Sequence, residues 1–167
     1  VILLNIFYLH HNPKVAVKYM TNKHIVKMVL ETAQILSTNF QYNWKKYRDP
    51  LLYKSTHPNH PSVVWARQSK ANYKWTYDLF EALANEYTER YKRIHKSWFQ
   101  LSDKLKKVPH YIPEGPFTEP PAVMPEEYIC ESSIESYKKY YINEKLKTKD
   151  DIERFNEWDK LVEKYWR

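Results

Sequence analysis

The sequence predicts a mainly α protein: one compact helical domain of about four helices, with a short extended N-terminal arm and a long proline-rich loop. Three observations predict it. Apolar residues recur three and four apart over several long stretches, and these stretches begin at residues suited to capping a helix. The chain also holds one glycine, Gly115, in 167 residues, whereas tight hairpins draw heavily on glycine. The length fits a single domain spanning 1–167, since domains commonly hold ~100–200 residues. A hydrophobic fraction of 43% supplies a core, and no apolar run approaches the ~18 residues of a membrane span.

The opening "VILLNIFYL" reads as a buried strand or extended arm. No basic region precedes it and "HHNPK" follows it, which does not fit a secretory signal. "NPKVAVKYM" predicts a short helical turn. The next segment, "NKHIVKMVLETAQIL", predicts a helix from Thr21 or Asn22, either of which can cap it. At about 100° per residue, His24, Lys27, Glu31 and Gln34 fall within roughly 80° of arc. Ile25, Val26, Met28, Val29, Leu30, Ala33, Ile35 and Leu36 take the remainder, so the helix reads as buried with one polar stripe.

A polar, aromatic connection follows, and its Asp49-Pro50, His57-Pro58 and His60-Pro61 steps disfavour helix before each proline. Pro61 suits the first position of a second, long helix, because its missing N–H has no partner to lose there. The pattern Trp65, Asn72, Leu79, Leu83 and Tyr87 carries that helix from Ser62 to about His95. Pro109 to Tyr128 holds most of the prolines and reads as an ordered surface loop. Ser132 and Glu135 form a capping-box pattern before a third helix, "SIESYKKYYINEKLK". Asp150 or Thr148 opens a fourth, with Ile152, Phe155, Trp158, Leu161, Val162 and Tyr165 as its apolar face.

The same scarcity of glycine argues against phosphate-binding loops, dinucleotide folds and nucleophile elbows. The single cysteine, Cys130, excludes an intramolecular disulfide and multi-cysteine metal sites, and fits a reducing cytoplasm. A net charge of +7 together with 15 Tyr and 6 Trp makes nucleic acid the first partner to consider, since cations attract phosphate and aromatic rings stack on bases.

Four groups of residues carry chemistry. Charged groups on an apolar helix must line a cleft or be paired, so His24, Lys27 and Glu31 read as a proton shuttle, an amine and a carboxylate able to stabilise positive charge. Solvent-facing ion pairing of Lys27 with Glu31 is the plainer reading of that spacing. In "STHPNHPSVVWARQ", His57 and His60 precede a helix N-terminus that favours phosphate, with Arg67 further along; simple capping by His60 is the alternative. A zinc site would have to collect its three ligands from distant segments, so neither metal nor cofactor is expected. "ERYKRIH" places Arg90 and His95 at a spacing that resembles the signature of HEPN-type ribonucleases. In "ESYKKYYINEK", Tyr137, Tyr140 and Tyr141 lie among Lys138, Lys139 and Lys145, either as a DNA-contacting face or as core rings with solvated lysines.

Three segments in order, "LNIFYL" leading to "HIVKMVLE", then "MPEEY", then "YKKYY", resemble the phage endonuclease V family, the pyrimidine-dimer DNA glycosylases. "KHIVKMVLETAQ", "NHPSVVWARQS" and "YYINEK" are similar to segments of a wider set of phage proteins. The resemblance implies a compact helical enzyme that kinks duplex DNA at a lesion, flips a nucleotide, breaks a glycosidic bond and cleaves the strand by β-elimination. It implies that Glu31 is the catalytic carboxylate, that His24 lies near the lesion-flanking phosphate, and that the YKKYY helix supports DNA contact. The sequence departs from the family at two places. The family's nucleophile is the α-amine of a Thr exposed by Met removal, where this chain opens on Val1; and arginines flank the family's Glu, where this chain has Leu30 and Gln34.

The expected function is therefore a DNA-repair glycosylase with associated AP lyase activity on damaged or modified pyrimidines in duplex DNA. Glu31, His24 and Lys27 are its expected catalytic residues, with Lys27 as the substitute amine. His57, His60, Arg67, Lys138, Lys139 and Tyr140 are its expected DNA contacts. A monomer in the cytoplasm, the host's if phage-encoded, and no membrane association are expected. A non-catalytic nucleic-acid-binding protein and a metal-independent ribonuclease built on Arg90 and His95 are the competing readings.

Overall fold

A computed structural model of the chain describes residues 4–44 and 49–166; Val1 and residues 45–48 of the polar connection lie outside the described residues. Among those described there are seven α-helices and no strand. They are α1 (Pro13–Tyr19), α2 (Asn22–Phe40), α3 (Pro61–Ala66), α4 (Lys70–Tyr91), α5 (Lys96–Leu105), α6 (Ser133–Tyr140) and α7 (Lys149–Tyr165). The core is centred on α2 against α4, with α1, α3 and α5 packed around that pair and α7 laid on α1. The mainly α class holds, with more and shorter helices than the periodicity predicts.

The expected long second helix is two helices, α3 and α4. It breaks after α3 because Ser69 caps α4: its Oγ accepts from Asn72 N–H at 3.1 Å and donates to the Pro116 carbonyl at 3.0 Å. Lys70 N–H donates to the Pro113 carbonyl at 2.9 Å, so the proline-rich loop occupies the break. Gly115 sits at this crossing, where a Cβ would stand 3.1 Å from that of Ser69. Alanine there would force a shift in a region already bonded on both sides. At the far end α4 stops on Lys92, which takes left-handed φ 57° without glycine. His95 then caps α5, its Nδ1 accepting from Ser97 N–H at 3.1 Å.

The proline-rich loop is ordered, as expected, and ends in a 3-10 turn over Glu126–Tyr128. Prolines donate nothing, so its carbonyls are met by side chains from the helices. Trp65 Nε1 donates to Thr118 O, Ser133 Oγ to Pro120 O and Tyr137 Oη to Pro121 O, all at 2.7–3.0 Å. From Leu4 to Leu9 the N-terminal arm is buried and has no regular secondary structure. Asn5 pins it: its Oδ1 accepts from Ile6 and Phe7 N–H at 2.7 and 2.9 Å, and its Nδ2 donates to the Val123 carbonyl at 2.9 Å.

Expectations about surfaces are corrected on two helices, α7 and α2. On α7, Phe155 and Val162 are buried, but Ile152, Leu161 and Tyr165 face solvent. On α2, Val26 and Leu30 are exposed, so its polar residues border a solvent face and are not an inlay in a helix buried all round. Tyr137 on α6 and Tyr141 just after it are core, which favours the core-ring alternative for these two tyrosines.

Arg90 and His95 do not form a nuclease pair. Arg90 donates to Glu86 Oε2 at 2.8 Å, to Met20 O at 2.9 Å, to Asn22 Oδ1 at 3.0 Å and to Val17 O at 3.2 Å. It thereby satisfies the C-terminal carbonyls of α1 and ties α1 to α4, while His95 is spent as a cap. Both residues are structural, which removes the basis of the ribonuclease reading. Replacing Arg90 by Met strands those carbonyls and unbalances Glu86, so urea unfolding should show a loss of roughly 2–4 kcal/mol.

Candidate active site

The stripe residues meet at a cavity of about 130 Å³ lined by Asn5, Phe7, His24, Lys27, Met28, Glu31, Tyr140 and Lys145. Three parts of the chain build it. On α2, His24 and Glu31 are seven residues apart and so share a face, with Lys27 one turn before Glu31. The arm supplies Asn5 and Phe7. A π-helical turn over Tyr141–Lys145 follows α6 directly, and its wider ring brings Lys145 to the same cavity as Tyr140.

Glu31 is the chemical centre. It is 2% exposed, and neither carboxylate oxygen has a hydrogen-bond partner among the described residues. Its nearest cation is Lys27 Nζ at 3.7 Å, an ion-pair distance too long for a hydrogen bond. Burial raises the Glu31 pKa, and the Lys27 charge opposes that rise only in part. Lys27 itself is 51% exposed, so the cavity meets solvent along its side chain.

His24 is held on three sides. The Phe7 ring stacks on it at 4.5 Å with an interplanar angle of 20°. Its backbone N–H donates to the Thr21 cap, and its Nδ1 lies 2.8 Å from Tyr141 Oη. Burial, and then the charges of Lys145, Lys27 and Lys23, push its pKa down to about 4. The imidazole is therefore held toward its neutral form near pH 7. Phe7 reaches this position with φ 52°, a strained value for a residue with a Cβ. Its N–H bond to Asn5 and its burial against His24 hold it there.

Other expected site residues lie elsewhere. His60 caps α3, accepting from Ser62 N–H at 3.1 Å, and His57 is exposed beside Thr56. Arg67 donates to Asn39 Oδ1 and the Pro58 carbonyl and lies 3.9 Å from the centre of the Tyr42 ring. Lys138 is 12% exposed and donates to Asp159 at 2.9 Å. These bonds commit Arg67 and Lys138 to the fold and leave Lys139 exposed. Tyr140 is buried as a wall of the cavity, with Lys145 Nζ 5.0 Å from its ring centre. Asn5, Phe7 and Lys145 extend the expected set. The available signal for Asn5 was a lone polar residue inside an apolar run.

A larger cavity, about 340 Å³, lies where the C-terminal end of α2 meets residues 107–111. It has no carboxylate among its lining residues. No three metal-ligating side chains cluster among the described residues, and no described helix is long and apolar enough to cross a membrane.

The unpaired carboxylate sets a stability signature. A carboxyl whose pKa is raised on folding contributes fully below its unfolded pKa and loses that contribution as pH rises through the folded value. Glu31→Gln should therefore stabilise the protein near pH 7 by about 1 kcal/mol or more, with the gain shrinking as pH falls and absent below the unfolded carboxyl value of about 4.3. His24 works in the opposite sense. Its lowered pKa leaves the folded state intact above 6.5 and weakens it as pH falls from 6.5 toward 4. His24→Gln should flatten that acid-side slope in denaturant titrations taken at successive pH values.

Comparison with known proteins adds one positive finding. No curated protein and no solved structure matches this chain. A family model, pyrimidine dimer DNA glycosylase, matches residues 4–100, a stretch that includes the arm, α1 to α4 and the His24, Lys27 and Glu31 face of the cavity. With more than half of its length matched in this way, the chain belongs to the pyrimidine dimer DNA glycosylase family.

Proposed function

We propose that the protein is a DNA glycosylase with associated AP lyase activity, acting on pyrimidine dimers in duplex DNA, with Glu31 and Lys27 as its catalytic pair. The observation that carries this is the buried, unbonded Glu31 carboxylate facing a cavity beside a lysine amine. An inert scaffold gains nothing from an orphaned buried charge, whereas a reaction that develops positive charge on a sugar does.

Lys27 starts as an ammonium and must become a free amine. Glu31, its pKa raised, is placed to take that proton. The amine lone pair forms a bond to C1′ as the glycosidic bond breaks, and the base leaves with that bond's electron pair and takes up a proton from solvent. The nitrogen, now a secondary ammonium, loses a proton to solvent and regains a lone pair, which expels O4′; O4′ receives the proton held by Glu31, giving an iminium between Lys27 and C1′. Ionised Glu31 faces this cation and stabilises it. Removal of the C2′ proton expels the 3′-phosphate by β-elimination, and water hydrolyses the imine to release Lys27.

A cavity of about 130 Å³ is smaller than the ~300 Å³ at which typical small-molecule sites begin. It suits a sugar ring at the reacting carbon, with the linked bases outside it. Exposed Lys139 and Lys23, together with Lys145 at the cavity, supply phosphate-binding charge. His57 and His60 are placed for peripheral contact, with Arg67 and Lys138 supporting the surface from within and Tyr140 shaping the cavity. Each DNA contact removed should flatten the salt dependence of binding by about one counterion.

The test is incubation with UV-irradiated duplex DNA and sodium borohydride. A covalent protein–DNA adduct on the peptide containing Lys27, with strand incision in its absence, is the expected result. An adduct on the N-terminal peptide would move the nucleophile to an α-amine. No adduct and no incision at saturating protein would leave a non-catalytic DNA-binding role. Glu31→Gln should slow incision by roughly 10²–10⁴-fold with the affinity for damaged duplex retained.

A further inference from the structure

Tyr141 does not line the cavity and is fully buried, yet its hydroxyl is the hydrogen-bond partner of His24. It accepts from the Thr21 backbone N–H at 2.7 Å and lies 2.8 Å from His24 Nδ1. A phenol has one proton to give. With the Thr21 amide already donating to the oxygen, that proton is best satisfied by the basic lone pair of an unprotonated Nδ1. The ring's single N–H then sits on Nε2. The Thr21 hydroxyl accepts from the His24 backbone N–H at 3.1 Å and acts on Tyr141 as a donor, which leaves Nδ1 as the acceptor for the phenol proton.

We infer that Tyr141 is a positioning residue: it fixes His24 in the Nε2–H tautomer, so that the imidazole presents a neutral hydrogen-bond donor to an oxygen of the bound DNA strand. The Phe7 stack fixes the plane of the ring and the Tyr141 bond fixes its rotation, which together leave Nε2 one direction to point. A neutral donor suits this place. An imidazolium would add a fourth positive charge beside Lys23, Lys27 and Lys145, with Asp151 on α7 as the one acidic group acting on it. A donor that never titrates near neutral pH also cannot compete with Glu31 for the Lys27 proton.

This inference rests on the proposed glycosylase reading for its consequence in catalysis, but not for its structural content, and the experiment separates the two. Two-bond ¹H–¹⁵N correlation spectra of the ¹⁵N-labelled protein read the tautomer directly, with or without activity. The expected spectrum shows protonated Nε2 and bare Nδ1 for His24. Tyr141→Phe should give a mixture of tautomers and move the His24 titration midpoint upward, because the lost bond favours the neutral ring. On UV-damaged duplex, Tyr141→Phe should lower kcat by roughly five- to ten-fold with KM little changed. His24→Gln removes the imidazole and should lower kcat to at least the same extent as Tyr141→Phe. Adding Tyr141→Phe to His24→Gln should then cause no further loss. A wild-type spectrum with the proton on Nδ1, or a full additional loss in the double variant, overturns the inference. A wild-type protein with the expected tautomer but no incision activity overturns the glycosylase reading alone.

Discussion

A polar atom taken out of water must find a partner, and among the described residues this fold meets that requirement for its buried charged groups with the exception of one carboxylate. The arm and the proline-rich loop have no ladder of their own, so helix side chains serve them: Asn5 for the arm, Trp65, Ser69, Ser133 and Tyr137 for the loop. Arg90 closes the end of α1, and Arg67 joins Asn39 to the Pro58 carbonyl. Against this background Glu31 stands apart. Its two oxygens, with two serine hydroxyls, are the buried side-chain polar atoms without a hydrogen bond among the described residues, and only Glu31 can carry a charge.

What was legible in the sequence follows from which signals are local. Caps depend on two or three adjacent residues, so Thr21, Thr148 and Ser132 could be read directly, and each caps its helix. The His24–Lys27–Glu31 face depends only on helical period, so it too was legible. The break at Ser69 depends on Pro113 and Pro116 crossing from more than forty positions away, and nothing near Ser69 announces that contact. Asn5, Phe7 and Lys145 join the cavity through the same kind of long-range meeting. Phe7 adds a backbone conformation that a residue with a Cβ adopts rarely, which no propensity argument would assign.

The aromatic rings serve the fold more than a partner. Rich aromatic content in a basic chain suggested rings for stacking on bases, but most of them are structural. Trp65, Trp75 and Phe117 pack mutually at 5.8 Å, and Tyr19, Phe155 and Tyr141 form another group. With so few small residues in the chain, large rings fill the space between short helices, and their hydroxyl and indole groups satisfy loop carbonyls at the same time. The rings near the site, Phe7 and Tyr140, are equally buried and act as walls. The charge argument fares better: Lys23, Lys27 and Lys139 face solvent.

The departures at Leu30 and Gln34 are consistent with this distribution of charge. The resemblance places arginines on either side of the carboxylate, where they would set phosphate-binding charge on α2 itself. Here Leu30 is exposed and apolar and Gln34 half-buried. The cations have moved one turn or more toward the N-terminus of α2, to Lys23 and Lys27, and across the cavity to Lys145. A bidentate guanidinium beside Glu31 would pair with it and hold its pKa down. A single ammonium at 3.7 Å leaves both oxygens unbonded and the pKa raised. Under the proposed function, the substitution would shift the carboxylate from a permanently ionised electrostatic partner toward a group able to accept and return a proton. A lysine nucleophile, unlike an N-terminal amine, begins fully protonated near neutral pH and needs such a group beside it.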